Sequence, residues 1–98
     1  MYRIKRTDAF ATWLDGIKDR PARARLIRRL EKAARGNLGD VRPVGQGTFE
    51  MREHFGPGWR MYYTRRGDRL IIMLGGGTKA DQQREIDKAI RIARTLED

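Results

Sequence analysis

The chain has 98 residues, of which 39% are hydrophobic and 36% charged, and its 22 Lys and Arg against 13 Asp and Glu give a formal net charge of +9 at pH 7. This length suits one domain with a modest core and excludes two independent cores. The absence of cysteine excludes disulfides, zinc–thiolate sites and cysteine nucleophiles, and the excess of basic residues favours a polyanionic partner, which could be RNA, DNA or an acidic protein.

The first third of the chain predicts a short strand followed by two helices. Residues 2–5 alternate as in a strand, and Thr7 can cap the first helix. The apolar face of that helix holds Phe10, Trp13, Leu14 and Ile17. Pro21 suits the first turn of the second helix, and residues 36–37, Gly-Asn, would end it. The exposed face of the second helix is expected to hold Arg23, Arg25, Arg28, Arg29, Lys32 and Arg35.

The rest of the chain predicts an antiparallel meander of three or four strands and a final helix. Residues 49–55 and 59–64 alternate between apolar and polar side chains on either side of the turn Gly56-Pro57-Gly58. After a second turn, the apolar run at residues 70–74 is typical of an inner strand. The last helix is predicted from about residue 80 to residue 96, with one apolar side.

These elements predict a single α+β domain over residues 1–98. Its simplest architecture is an antiparallel sheet with the helices packed on one face. The longest apolar run, at residues 70–74, is far shorter than a membrane span, and no apolar signal region follows the basic N-terminus. A cytoplasmic protein without a membrane partner is therefore expected.

Strand alternation suggests which side chains could perform chemistry. If the helices cover only one face of the sheet, the polar residues of the hairpin converge on the uncovered face. These residues are Glu50, Arg52, His54, Arg60 and Tyr62. Such a set could cradle a phosphodiester, because arginine stabilises developing negative charge and histidine or tyrosine can move protons. The alternative is that the open face of an antiparallel sheet is ordinarily polar, and a lone histidine is more often a surface residue than a catalyst.

Two further features could bind phosphate. Residues 75–79, Gly-Gly-Gly-Thr-Lys, lie between the last predicted strand and the last helix, where free N–H groups and the charge of Lys79 would attract an anion. The glycine spacing is not that of a P-loop, and the alternative is a flexible connector. Exposed arginines could be a solvated face or could contact RNA or an acidic protein segment. The residues predicted to bind RNA are Arg23, Arg28, Arg35, Arg65 and Arg66. No metal-ligand cluster appears in the sequence, so no metal or other cofactor is predicted.

Four separated motifs resemble those of a known family. They are GNLGDVRPVG at residues 36–45, EMR at 50–52, GPGWRMYY at 56–63 and the segment 74–89. The last resembles L-C-GG-D-K-x-x-Q-x-x-D-I-x-x-A, with Gly75, Thr78 and Glu85 in place of the usual Cys, Asp and Asp. Together they are similar to the RelE/ParE superfamily of toxins, and most to its HigB-like branch of addiction module killer proteins.

The resemblance implies a RelE-like fold and the toxin of a type II toxin–antitoxin system, neutralised by a HigA-like helix-turn-helix antitoxin. It also implies a metal-independent endoribonuclease that cuts mRNA on the ribosome and inhibits translation. Family functional residues can be carried onto Arg52, Arg60 and Lys79, whereas His54 and Tyr62 are candidates mainly through strand alternation. Fold resemblance does not fix function. The alternatives are a ParE-like, non-catalytic gyrase inhibitor and a basic nucleic-acid-binding module without activity.

Overall fold

A five-stranded sheet forms the centre of the molecule. The computed structural model describes residues 1–96. The strands are β1 (Arg3–Arg6), β2 (Val41–Gly45), β3 (Thr48–Arg52), β4 (Trp59–Arg66) and β5 (Leu70–Thr78). They lie in the order β1-β5-β4-β3-β2, so that β1 and β2 form the two edges. Strands β2 to β5 form the predicted antiparallel meander, and β1 pairs in parallel with β5. The predicted α+β fold class is confirmed.

Within residues 1–96, three α-helices accompany the sheet. They are α1 (Asp8–Asp15), α2 (Arg20–Ala34) and α3 (Gln82–Thr95), and a 3-10 turn (Lys79–Asp81) precedes α3. Thr7 caps α1 as predicted, since its Oγ1 accepts a hydrogen bond from the Phe10 N–H at 3.2 Å. Asp19 caps α2 through the Ala22 N–H at 3.0 Å, and Pro21 lies in the first turn of that helix. None of the helices within residues 1–96 is long and apolar enough to cross a membrane.

The helices lie on both faces of the sheet, so the expectation that they cover only one face is wrong. Helices α1 and α2 pack on the first face, over a core that includes Phe10, Leu14, Leu26, Leu30, Met51, Met61, Tyr63, Ile71 and Met73. Helix α3 packs on the second face, over a smaller core of Tyr62, Ile72, Leu74, Ile86 and Ala89. The apolar side of α3 is stabilised by burial, and the unbroken apolar run in β5 places apolar side chains on both faces of the sheet. Packing α3 against the second face buries both surfaces.

The three glycines at residues 75–77 belong to β5 and pair with β4. The prediction that they connect the last strand to the last helix is therefore wrong. Close packing explains why they are glycines: a Cβ on Gly76 would lie 2.4 Å from the Trp13 ring of α1, and a Cβ on Gly77 would lie 2.8 Å from Glu85 Cγ of α3. The glycines allow helices on both faces to approach β5, and they do not form the N-terminus of a helix.

Candidate active site

Arg52, Arg60 and Lys79 lie at one end of the sheet, which we call the cationic corner. Arg52 ends β3 and pairs with Arg60 near the start of β4, and Arg60 pairs with Gly77 near the end of β5. Alternation along the strands places the Arg52 and Arg60 side chains on the same face. Lys79 directly follows β5, and its backbone N–H donates to the Gly58 carbonyl at 2.8 Å. The register thus brings together the three residues to which the family resemblance assigns a function.

Arg60 is almost completely buried, with 6% of its side chain exposed. Its Nη1 donates to the Glu53 carbonyl at 2.9 Å, and its Nε lies 3.9 Å from Oε1 of the fully buried Glu50. Glu50 also accepts a hydrogen bond from Gln82 Nε2 of α3 at 2.8 Å and lies 3.3 Å from Arg42 Nε. These contacts fix the guanidinium in one orientation, which is what electrostatic stabilisation of a transition state requires.

Asp40 joins Arg52 and His54 in a second, more exposed cluster. Its Oδ2 accepts from Arg52 Nε at 3.3 Å and lies 2.8 Å from His54 Nε2. Because an ionised carboxylate can only accept, the histidine N–H donates. The hydrogen bond from His54 lowers the pKa of Asp40, and Arg52 adds to this effect against partial desolvation, so the carboxylate is ionised at neutral pH. The contacts of Asp40 were not predicted, since in the sequence it is only part of a family motif.

His54 lies outside β3, which ends at Arg52. Strand alternation therefore does not apply to His54, and its orientation comes from the hydrogen bond to Asp40. Its side chain is 67% exposed. The neighbouring Phe55 also lies outside β3 and is half-buried. Its side chain points toward the helices, as alternation predicts, because its ring packs under the Arg25 guanidinium of α2 at 3.7 Å.

Tyr62 is fully buried beneath α3, so the prediction that it lies on an uncovered face is wrong. Its hydroxyl has no hydrogen-bond partner within residues 1–96. Burial raises the pKa of Tyr62 far above its usual value of 10, and the nearby Glu50 carboxylate raises it further. Tyr62 is therefore protonated at neutral pH, and α3 separates it from any RNA at the surface.

The arginines predicted to bind RNA do not form one surface. They are divided between α2, which carries Arg23 and Arg28 and is followed by Arg35 at its C-cap, and the far end of β4, which carries Arg65 and Arg66. Arg65 donates to the Tyr2 hydroxyl at 3.2 Å and lies over its ring. Arg65 lies five positions after Arg60, so the second group lies roughly 16 Å from the cationic corner along β4. The α2 group is connected to the corner through Arg29, whereas Arg65 and Arg66 lie at the opposite end of the strand that carries Arg60.

Arg29 of α2 was predicted to be exposed, and this is wrong, because its side chain is buried and binds segments beside the cationic corner. Its Nη1 donates to Glu53 Oε2 at 2.6 Å and to the Arg52 carbonyl at 2.9 Å. Its Nη2 donates to the carbonyls of Leu38 and Asp40, each at 2.9 Å. One guanidinium thereby ties α2 to the segment that precedes β2 and to the end of β3.

The arrangement can bind and polarise a phosphodiester through positive charge. Arg60 supplies a fixed guanidinium and Arg52 a partly exposed one, while the Lys79 side chain is exposed and has no partner among the described residues. Within residues 1–96 there is no group of three or more His, Asp or Glu that could hold a metal ion.

Residues 12–97 match the family described as phage-derived protein Gp49-like. The chain belongs to this family. Gp49-like proteins are a toxin family associated with toxin–antitoxin systems. An uncharacterized protein of Haemophilus influenzae is 36% identical to this Gp49-like chain over 94 residues, which cover 96% of this chain and 95% of that protein.

In this Gp49-like protein, we expect the substitution His54→Gln to keep a substantial part of the toxic activity. The cationic corner is dominated by Arg and Lys, and glutamine can still donate a hydrogen bond to Asp40. Growth inhibition on induction measures the effect, with Asp40→Asn as the matched change on the other side of the same hydrogen bond. Loss of about 10³ in activity would match a typical proton-transfer contribution and would show that His54 is catalytic.

Proposed function

We propose that this Gp49-like protein is the toxin of a type II toxin–antitoxin system in the HigB-like branch of the RelE/ParE superfamily, and that it is a metal-independent, ribosome-dependent mRNA endoribonuclease. The observation that carries the proposal is the fixed guanidinium of Arg60, which lies beside Arg52 and Lys79 at the cationic corner. Cationic donors held in place in this way suit the negative charge that develops on a phosphate during cleavage.

The reaction needs little from the protein beyond this charge and the correct geometry. The ribose 2′-oxygen attacks the adjacent phosphorus, the bond to the 5′-oxygen breaks, and a cyclic phosphate remains. One proton leaves the 2′-hydroxyl and one reaches the 5′-oxygen. Between these events the phosphorane carries extra negative charge, and Arg52 and Arg60 stabilise it. Lys79 binds the same phosphate or the departing oxygen through its exposed ammonium group.

Dependence on the ribosome follows from how little of the site is exposed. With Tyr62 under α3, the corner presents to an RNA only Arg52, His54, Lys79 and the 6% of the Arg60 side chain that is exposed. These side chains are too few to hold a flexible strand with its 2′-oxygen in line with the scissile bond. Such positioning is worth ~7–11 kcal/mol, and the ribosomal A site would supply it.

The partner that restrains the toxin is a co-encoded antitoxin of the HigA-like, helix-turn-helix type. A protein with a net charge of +9 attracts acidic surfaces strongly. Covering the basic residues of α2 and the cationic corner would block access to RNA.

The Arg60–Glu50 contact also fits a second function, a ParE-like, non-catalytic inhibitor of gyrase. A buried arginine paired with a buried glutamate is a common structural arrangement. On this alternative, Arg52, Arg60 and Lys79 stabilise the fold or bind a protein target.

Expression of the chain without its antitoxin separates the two functions. If the chain is an endoribonuclease, new mRNA 5′ ends should appear inside translated reading frames within minutes. These ends should be missing from an untranslated copy of the same message. Mapping of 5′ ends on both messages measures this. Trapped DNA breaks and a DNA-damage response with unchanged messages would instead identify a gyrase inhibitor.

A further inference from the structure

A basic pocket of about 260 Å³ lies between α2 and the segment at residues 37–39. Three of its side chains, Arg25, Arg28 and Lys32, stand on one side of α2 at a spacing of three and four residues. The buried Arg29 and Glu53 also line it. We call this cavity the α2 pocket.

The positive charge of the α2 pocket is not balanced by the protein. Its carboxylate, Glu53, is already bound by Arg29 at 2.6 Å and is only 22% exposed. Arg28 and Lys32 are exposed, and neither has a hydrogen-bond or ion-pair partner within residues 1–96. Like charges one helical turn apart repel each other. An anion entering the pocket would remove this repulsion.

One cationic group in the pocket is held in position before any ligand binds. The Arg25 guanidinium lies 3.7 Å from the centre of the Phe55 ring, a cation–π contact that restricts its movement. A planar guanidinium presents paired N–H donors that match two phosphate oxygens, and a nearby lysine adds a point charge. The chemistry of the pocket therefore fits a phosphate group.

The α2 pocket adjoins the cationic corner through Glu53. The Glu53 carboxylate binds Arg29 at the pocket, while its backbone carbonyl accepts from Arg60 Nη1 at the corner. Arg29 also donates to the Arg52 carbonyl at 2.9 Å. A strand whose scissile phosphate lies at the corner would pass close to the pocket with another of its phosphates.

We propose that the α2 pocket binds a backbone phosphate of the RNA strand that is cleaved at the cationic corner. This rests on the proposed function and extends it, because it assigns Arg25, Arg28 and Lys32 a shared ligand next to the scissile linkage. The pocket holds the strand in register and does no chemistry on it.

The salt dependence of RNA binding tests the pocket. The probe is a single-stranded RNA oligonucleotide with 2′-O-methyl groups, which cannot be cleaved because the attacking oxygen is blocked. The full chain is compared with the double variant Arg28→Gln/Lys32→Gln. The double variant should bind more than about tenfold more weakly, as expected for lost hydrogen bonds to a charged group. Its slope of log affinity against log salt should fall by about 0.7, the contribution of one phosphate of a single strand.

The matched control is Lys88→Gln/Arg91→Gln, which removes the same charge from the exposed side of α3. Its salt slope should stay at the wild-type value. Millimolar inorganic phosphate should weaken RNA binding by the wild-type chain more than by the α2 variant. Equal changes in both double variants would overturn the proposal, because only net charge would then matter. Loss of binding to a polyglutamate peptide with unchanged RNA binding would overturn it in favour of an acidic protein partner.

The outcome for the α2 pocket is independent of the cleavage result. New message ends together with an unchanged salt slope would contradict the proposed phosphate site at the α2 pocket and would support the endoribonuclease. A reduced salt slope without new message ends would support an RNA-phosphate site at the α2 pocket and would contradict the proposed cleavage reaction.

Discussion

Replacement of Arg60 by alanine is expected to lower the rate of RNA cleavage by about 10²–10³, the usual effect of removing one preorganised donor from an anionic transition state. Toxicity should fall with it, and more completely than for Arg28→Ala, which removes only a peripheral phosphate contact. Arg52→Ala should have an effect of the same kind. Cleavage of a translated message and growth after induction measure the effect.

The control must separate chemistry from folding, because Arg60 lies next to the buried Glu50. Arg60→Ala leaves that carboxylate with Gln82 and Arg42, at 2.8 and 3.3 Å. The double variant Glu50→Gln/Arg60→Ala removes the buried carboxylate that has lost one of its two arginines and should fold, as circular dichroism would show. It should still be inactive. Recovery of toxicity in the double variant would mean that Arg60 is only a structural partner of Glu50.

The substitution Arg29→Met is expected to lower the free energy of unfolding by about 3–5 kcal/mol, the usual loss when one member of a buried ion pair is removed. It deletes the bond to Glu53 and the hydrogen bonds to the carbonyls of Leu38, Asp40 and Arg52. Urea denaturation measures the change. Arg28→Met, one residue earlier on the exposed side of α2, is the matched control and should alter stability by less than about 0.5 kcal/mol. Similar small losses in both variants would contradict the structural role of Arg29.

Local patterns were sufficient to predict the helices, four of the five strands and their order within residues 1–96, but no residues were assigned to β2. The spacing of apolar residues located α1, α2 and α3, and the cap at Thr7 and the proline at position 21 marked where two of them begin. Alternation and turn glycines located the hairpin of β3 and β4. Each of these signals lies within a few neighbouring residues, which is why it can be recognised without knowledge of the packing.

The placement of α3 depends on the whole fold, and it altered the interpretation of the site. Alternation correctly put Glu50, Arg60 and Tyr62 on one face, but it does not say whether a later helix covers that face. Two signals were present: the apolar side of α3 and the run at residues 70–74, which is apolar on both faces of β5. Requiring burial of both the apolar side of α3 and the second face of β5 would have predicted that Tyr62 is buried.

The burial of Arg29 and the partners of Asp40 could not be predicted, because they depend on contacts between residues that are distant in sequence. On α2, Arg29 is one basic residue among several, and a charged helix residue is ordinarily exposed. It is buried because carbonyls from residues 38 and 40 and from the more distant residue 52 converge around its guanidinium. Asp40 gains its two partners only when the start of β2 pairs with the end of β3. By contrast, Arg52 and Arg60 meet through the hairpin register, which could be predicted.

The two edges of the sheet bear on how the toxin behaves at high concentration. An open strand edge offers unpaired N–H and C=O groups to other strands and so favours aggregation. At one edge, β2 contains Pro43, which has no N–H to donate. At the other, β1 has only four residues, and three of them, Arg3, Lys5 and Arg6, are basic and exposed. Growth of the sheet by pairing with a second copy is therefore disfavoured at both edges, so toxin that accumulates before its antitoxin binds resists conversion into β-rich aggregates.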